Sequence, residues 1–541
     1  MPSYNFADMF ELVVDAVPER TALVVGDTVR HSYAQLEERT NRLAHHLAGA
    51  GIGPGDHVGI YAYNGVEWVE GMFALYKIRA VPVNINYRYV EHELEYLFSN
   101  ADLAGLIFQR EFAPRVAAVH KALPKLRHLV MSEDGSGAPV TGLDAADYEQ
   151  AIAAGSPVRD FGPRSSDDIH MIYTGGTTGM PKGVMWRQED IFFALCGGID
   201  AYTSARVTSP EELSRRVTDG KGPLVALATP PLMHGAGQMT VIRSLIAGDT
   251  VVMTPRFDPE DTWRLVERER ANLVMITGDA MGRPLADALE SMHDSLDLSC
   301  LLSLSSSAAI FSPVVKQQFM RLLPNAVIVD SIGATETGMN GIKIADRNEP
   351  IDSAPGGTPT VQAAADTIVV DDDFRPVEPG SDVVGRVART GNIPLGYYND
   401  PEKTAEVFLE HGGRRYAIAG DFATVEADGS IHLLGRGSVS INTGGEKVYP
   451  EEVEGVLKMH PEVFDALVVG VPDDRWGQRV TAVVQPRGDA QPTADALAEH
   501  CRPLVAGYKI PRQVFLVDEI VRAPSGKPDY PWAQRYARDR A

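Results

Sequence analysis

The chain has 541 residues, 44% hydrophobic and 23% charged, with a formal net charge of −23 from 73 acidic and 50 basic residues. Such a composition supplies a large core. At roughly 100–200 residues per domain the length predicts two to four domains. The acidity argues against a nucleic-acid-binding surface, which needs a basic stripe to neutralise phosphates, and reads first as a solubility feature. Three distant cysteines, Cys196, Cys300 and Cys501, give neither a disulfide framework nor metal spacing, and point to a reducing cytoplasm.

In chain order, no basic stretch followed by an apolar core opens the sequence and no run of about 18 apolar residues follows, so neither a signal peptide nor a spanning helix is expected. Helices and strands then alternate. Ser32 and Gln35 have capping-box spacing, Leu36, Leu43, Ala44 and Leu47 share one helical face, and Gly51 and Gly53 end that helix. The stretch from His57 to Tyr63 reads as a strand, Gly65 to Ala80 as a helix and Ala80 to Asn86 as a strand. Further strands are expected in "LVALATPPLM", "DTVVMT", "ANLVMIT" and "NAVIVDSIG". Strands separated by helices predict parallel, covered sheets. The polar segment from Gly197 to Gly222 reads as a surface loop or lid.

The pattern changes near Gly435, Gly437, Gly444 and Gly445. A helix start follows at Pro450, with Glu451, Glu452 and Glu454 in its first turn. Two strands, "FDALVVGVPD" and "QRVTAVVQP", and the helix "TADALAEHCRPLV" complete a small α+β unit. The boundary is placed at Arg436–Ser438, giving domains 1–435 and 436–541. The expected fold is α/β and multi-domain: a large domain of mostly parallel sheets with a small barrel-like β part, then a mobile α+β domain.

One segment carries chemistry directly. "MIYTGGTTGMPKGV", Met171 to Val184, holds four glycines, three threonines and one lysine after an apolar run. It reads as too polar and glycine-rich to pack a core or hold a helix. Such glycines can turn several N–H groups toward one anion, and hydroxyls and an ammonium add donors. Phosphate is the natural guest. The spacing does not match G-x-x-x-x-G-K-[ST], because no Ser or Thr follows Lys182.

The segment resembles the phosphate loop of the adenylate-forming superfamily, which includes acyl-CoA synthetases, peptide-synthetase adenylation domains and firefly-type luciferases. Gly175 stands where serine is usual. The resemblance implies that Thr174, Gly175, Gly176, Thr177, Thr178, Gly179 and Lys182 grip ATP phosphates. "PPLMHGAG" places His234 as the residue between acyl channel and nucleotide. "SSSAAIFSP" places Ser307, Ala308 and Ala309 along the adenine. "DSIGATETG" adds Asp330, Ser331, Ile332, Gly333 and Ala334 to the nucleotide site. In the same motif Thr335 would contact the α-phosphate and Glu336 would hold Mg2+. "YAIAGDFA" gives Asp421 for the ribose hydroxyls, with Arg436 nearby and Ser438 at the hinge. "APSGKPDY" gives Lys527 as catalytic lysine. Ile332 replaces a stacking aromatic, Ala419 a threonine, Ser438 and Val439 an acidic pair, and Asn442 a lysine.

These motifs, seven in order with the hinge-like stretch "GRGSVSINTGGEKVYPEEVE", imply a two-step reaction with ATP, Mg2+ and coenzyme A: a carboxylate becomes an acyl-adenylate, then an acyl-CoA. The acyl pocket is expected around His234, Gly235, Ala236, Gly237 and Gln238, with Gly278, Met281 and Ser303 to Ser305. Gly444, Gly445 and Glu446 would lie on the coenzyme A side. No lysine or aspartate stands at His234–Gln238 to pair an amino acid. Several stretches resemble actinobacterial fatty and steroid side-chain acyl-CoA synthetases, which favours a bulky lipid acid. The alternatives are a fatty-acyl-AMP ligase, an aryl-CoA ligase, and a catalytically silent nucleotide-binding regulator. Expected partners are small molecules, with a homodimer and peripheral membrane contact both allowed.

Overall fold

A computed structural model describes residues 2–174, 180–200, 205–220, 222–309, 311–345, 359–443, 446–473, 476–522 and 526–541. The chain divides into two compact units, Met1–Met275 with Asn392–Phe408, and Ile276–Gly391 with Leu409–Ala541. Among the described residues no helix is long and apolar enough to cross a membrane.

In the first unit, short apolar runs connected by helices form parallel ladders, as helical crossovers require. Thr21–Val25, Thr250–Met253, Val225–Ala228 and Leu273–Ile276 lie side by side in parallel. A second sheet runs in the order Gly396–Tyr397, Lys182–Arg187, Ile169–Thr174, Val81–Asn84, His57–Tyr61, Leu103–Gln109, His128–Ser132 and Ala146–Asp147. From Ile169–Thr174 onward its pairs are parallel. Helix Tyr33–Gly49 has the expected capping box at Ser32 and Gln35, and Leu36, Leu43, Ala44 and Leu47 are buried.

Helix Val66–Lys77 is buried on every side, its charged residues included. Each of those groups has a hydrogen-bonding or ionic partner, as burial of polar groups requires. Arg39 Nε donates to Glu70 at 2.6 Å, Tyr148 Oη donates to Glu70 at 2.7 Å, and Ser132 Oγ donates to Glu67 at 2.7 Å. Lys77 Nζ donates to Glu11 at 2.7 Å and to both oxygens of Glu37 at 2.9 Å. Arg164 and Arg159 reach the same two carboxylates. This cluster ties the first three helices of the unit to the segment before Ile169–Thr174.

In the second unit Ser303–Ser306 pairs in parallel with Val327–Ala334. Antiparallel strands continue from there through Gly338–Ile344, Thr360–Ala363, Ile431–Arg436, Asp421–Val425 and Gly385–Arg389. The C-terminal sheet is built on the antiparallel pair Val463–Asp473 and Gly477–Pro486. Alternate residues of a strand face opposite sides. Ala466 and Val468 pack toward helices Pro450–Lys458 and Ala494–Cys501, while Leu467, Val469 and Val471 pack toward helix Tyr530–Arg538. Two covered faces explain the unbroken apolar run "ALVVGV".

Two expectations change. The segment from Gly197 to Gly222 holds a helix, Glu211–Asp219, whose Leu213 and Val217 are buried. Its apolar residues are spaced four apart, which a composition reading averages away. The ends of Met171–Val184 are strands, and Met171, Ile172, Tyr173 and Val184 are core residues.

Lys77→Ala leaves two carboxylates short of one cation. Because Arg159 and Arg164 remain, we expect a loss near the lower end of the ~3–5 kcal/mol typical of a broken buried pair. Urea denaturation of full-length protein measures it, and a loss below about 1 kcal/mol would contradict the pairing described.

Candidate active site

In the first unit, strand Ile169–Thr174 delivers Thr174 to the glycine-rich segment, and Lys182–Arg187 returns antiparallel to it. Gly175, Gly176, Thr177, Thr178 and Gly179 lie outside the described residues. A Cβ on Gly183 would lie 2.6 Å from the Tyr173 ring, so the glycine lets the two strands close. Lys182 is ion-paired with Asp400, which also accepts Lys403 N–H at 2.9 Å and caps helix Pro401–Val407. The Lys182 ammonium holds the Asp400 carboxyl below its usual value. Sequence reasoning missed Asp400, 218 residues away along the chain.

His234 stands in extended conformation at the N-cap of helix Gly235–Ile246. Gly235 and Ala236 form the first turn of that helix, and Gln238 is buried, donating through Nε2 to Leu232 O at 2.8 Å. A Cβ on Gly237 would lie 2.7 Å from Pro230 O and 2.8 Å from Pro231 O. Glycine there allows the helix to fold back on its own entry turn.

In the second unit the nucleotide candidates cluster at the ends of two adjacent strands. Ser307, Ala308 and Ala309 follow Ser303–Ser306, and Ala308 adopts φ +67°, a left-handed conformation that costs a non-glycine residue roughly 1–2 kcal/mol. Ser331 Oγ donates to Ser306 O at 2.9 Å, locking the two strand ends together. Asp330 is buried against Lys316, with burial raising its carboxyl above the usual range. Ile332 packs on the apolar cluster containing Val361, Val369 and Ala423. A Cβ on Gly333 would lie 2.3 Å from Gly338 O. Thr335 and Glu336 occupy the turn between Ala334 and Gly338, closed by Thr337 N–H to Ala334 O at 3.2 Å. Asp421 begins its strand opposite Arg436. The side chains of Arg436 and Ser438 lie outside the described residues, as do Gly444 and Gly445, and Glu446 is exposed.

The same unit brings Lys527 to the turn that opens helix Gly278–Met292. Gly278 N–H donates to Ser306 Oγ at 2.9 Å, and Met281 is buried one turn later. Gly526, at φ +76°, approaches that turn so closely that a Cβ would lie 2.9 Å from Ala280 Cβ and 3.1 Å from Thr277 O. Lys458 Nζ lies 3.8 Å from Asp279 Oδ2 in the same region. Arg522 is a second residue that sequence reasoning missed. Its guanidinium grips Asp465 at 2.6 and 2.8 Å and donates to Gly526 O at 3.0 Å, directly before Lys527. Burial opposes both charges, but the fork-shaped contact outweighs it, holding Asp465 below and Arg522 above their ordinary values.

Glu454 lies beside this pair. Burial raises its carboxyl from 4.5 to about 7, against the opposing pull of Lys458, Val468 N–H, Arg522 and Tyr530. Among the described residues no group of three or more His, Cys, Asp and Glu could hold a metal. The donor set at Thr335 and Glu336 is one carboxylate and one hydroxyl. These hard oxygens suit Mg2+, which takes one or two carboxylates and completes its shell with substrate phosphates and water.

Comparisons with known proteins bear on the family and the fold. Residues 10–398 match the AMP-binding enzyme family, and residues 452–527 match the AMP-binding enzyme C-terminal domain. The chain is 52% identical over 534 residues to a 3-oxocholest-4-en-26-oate--CoA ligase of Rhodococcus rhodochrous, covering 98% of this chain and 95% of that one. It is 49% identical over 536 residues to a medium/long-chain-fatty-acid--CoA/3-oxocholest-4-en-26-oate--CoA ligase of Mycobacterium tuberculosis, covering 99% and 96%. The crystal structure of the anthranilate CoA ligase AuaEII in complex with anthranoyl-AMP shares the fold, with TM-score 0.83, 22% identity, and 100% and 98% coverage.

The raised Glu454 value fixes the sign of a pH effect. A carboxyl that titrates higher in the folded state favours folding most below its unfolded value, and that contribution is lost as pH rises through the folded value. Stability should therefore carry a component that declines between pH 4.5 and about 7. Glu454→Gln should remove that component from a series of urea denaturations across this range, and an unchanged slope would contradict the assignment.

Proposed function

The chain belongs to the AMP-binding enzyme family, and on that premise we propose that it is an AMP-forming acyl-CoA ligase acting on a long-chain fatty acid or a steroid side-chain carboxylate. The observation that carries the substrate class is the near-full-length likeness to ligases named for fatty and 3-oxocholestenoic acids.

A free carboxylate acylates poorly because its leaving group would be oxide. In the first step a carboxylate oxygen attacks the α-phosphorus of ATP, the bond to the β-phosphate oxygen breaks, and pyrophosphate leaves. In the second the coenzyme A thiol, giving up its proton, attacks the acyl carbon and AMP leaves. Both reactants of the first step are anions, so positive charge and orientation decide the rate; positioning alone can be worth roughly 7–11 kcal/mol.

In this reading Thr174 to Gly179 and Lys182 hold the departing phosphates, and Lys182 exchanges Asp400 for phosphate oxygen. Ser307, Ala308 and Ala309, with Asp330 to Ala334, border the nucleotide base. Asp421 accepts from the ribose hydroxyls, and Arg436 supports them. Thr335 orients the α-phosphate, and Glu336 would hold Mg2+, which spreads phosphate charge when bound. Lys527 brings the carboxylate and α-phosphate together. His234 to Gln238, Gly278 and Met281 shape the acyl pocket.

The second step needs the thiol where Lys527 had been. A swing of residues 436–541 about Ser438 would bring Gly444, Gly445 and Glu446 to the coenzyme A side. The three cysteines are free thiols, consistent with a cytoplasmic location.

Pyrophosphate and AMP release would be measured with ATP and a panel of fatty, aryl and steroid side-chain acids, with and without coenzyme A. Fatty or steroid acids should give coenzyme A-dependent turnover. Lys527→Ala should abolish adenylate formation while transfer from premade acyl-adenylate persists. Activity on aryl acids alone, AMP release no faster with coenzyme A than without it, or equal loss of both half-reactions would contradict the proposal.

A further inference from the structure

Strand Val81–Asn84 ends on a residue that is 4% exposed, with a carboxamide fully engaged with backbone. Asn84 Oδ1 accepts Tyr173 N–H at 2.7 Å, and Nδ2 donates to Tyr173 O at 2.8 Å. The ladder between these strands registers Val83 with Met171. Beyond that point a side-chain amide makes the donor and acceptor bonds of a strand neighbour to Tyr173, the residue before Thr174. The second Nδ2 hydrogen goes elsewhere, to Met233 O at 2.7 Å. Met233 is the residue before His234.

The turn receiving that bond satisfies itself only in part, through His234 N–H to Pro231 O at 3.0 Å. Pro230 and Pro231 supply no N–H donors, and the carbonyls of Pro230 and Met233 take theirs from asparagine side chains. Asn64, 6% exposed, accepts Leu232 N–H through Oδ1 at 2.7 Å and donates through Nδ2 to Pro230 O at 3.2 Å. Two buried asparagines therefore brace one turn, but only Asn84 also grips the strand that enters the glycine-rich segment.

We propose that Asn84 is a positioning residue for adenylate formation, fixing the Tyr173–Thr174 strand end and the Met233–His234 peptide relative to each other. The inference rests on the reading of Thr174 as the start of the phosphate grip and His234 as part of the acyl pocket. Asn84 acts through backbone and touches no reacting atom. Asn64 holds the turn alone, and so serves as its internal control.

Full-length Asn84→Ala, Asn64→Ala, His234→Ala and the Asn84→Ala/His234→Ala double variant would be compared in carboxylate-dependent ATP–pyrophosphate exchange, with thermal unfolding in parallel. Asn84→Ala should raise KM for ATP and for the acid together and lower exchange by about tenfold to a hundredfold. Asn64→Ala should raise KM for the acid and leave KM for ATP within about twofold. The double variant should lose at least about fivefold less than the product of the single losses, because both disturb one brace.

A merely structural role would lower thermal stability and the amount of active enzyme while leaving KM values unchanged. Folded Asn84→Ala with KM for ATP within about twofold of wild type, or losses that multiply, would overturn the inference. If Asn84→Ala does not fold, Asn84→Ser carries the same comparisons. Wild-type protein lacking exchange with every acid would instead sink the adenylating reading itself.

Discussion

Backbone groups at the carboxyl ends of parallel strands lose their ladder partners, and several functional candidates in this chain lie where side chains make that loss good. Where strands stop, buried N–H and C=O groups must still be paired. Asn84 and Asn64 supply the bonds in the first unit. Ser306 and Ser331 supply them in the second, where hydroxyls join Gly278 N–H and Ser306 O to neighbouring strand ends. Glycines then let the chain close without side-chain obstruction, at Gly237 against two proline carbonyls and at Gly333 against Gly338 O. The polar strand ends are thereby tied to their neighbours by hydrogen bonds, a fixed geometry of the kind orientation-dependent catalysis requires.

Charge is handled by the same logic. Among the described residues, three carboxylates near the candidate site are each paired with a cation. Asp400 is spent on Lys182, Asp330 on Lys316 and Asp465 on Arg522. The last pair has a consequence beyond its own energy, because Arg522 also holds the carbonyl of Gly526 and so sets where the backbone delivers Lys527. The buried cluster around Lys77 does comparable work deeper in the first unit, where three basic residues and three carboxylates fix helices to one another.

Much of this was legible in the sequence. The capping box at Ser32 and the covered strand "ALVVGV" follow from spacing and composition, because local patterns encode local structure. The order of motifs along the chain nominated Thr335, Glu336, Asp421 and Lys527 as candidates. Asp400, Asn84 and Arg522 were not. Each acts by pairing with a distant backbone or side chain, and an isolated Asp, Asn or Arg carries no mark of its partner. Helix Glu211–Asp219 escaped for a different reason: only Leu213 and Val217 among its nine residues are buried, too thin an apolar stripe to outweigh its charge.

The central claim is that a carboxylate oxygen attacks the α-phosphorus of ATP. Isotope transfer tests it most directly: a fatty or steroid side-chain acid labelled with 18O in both carboxyl oxygens is turned over with ATP and coenzyme A, and the products are weighed by mass spectrometry. The account predicts one 18O in the phosphate of AMP and none in pyrophosphate. Label appearing in inorganic phosphate alongside ADP, or AMP formed without label, would contradict it.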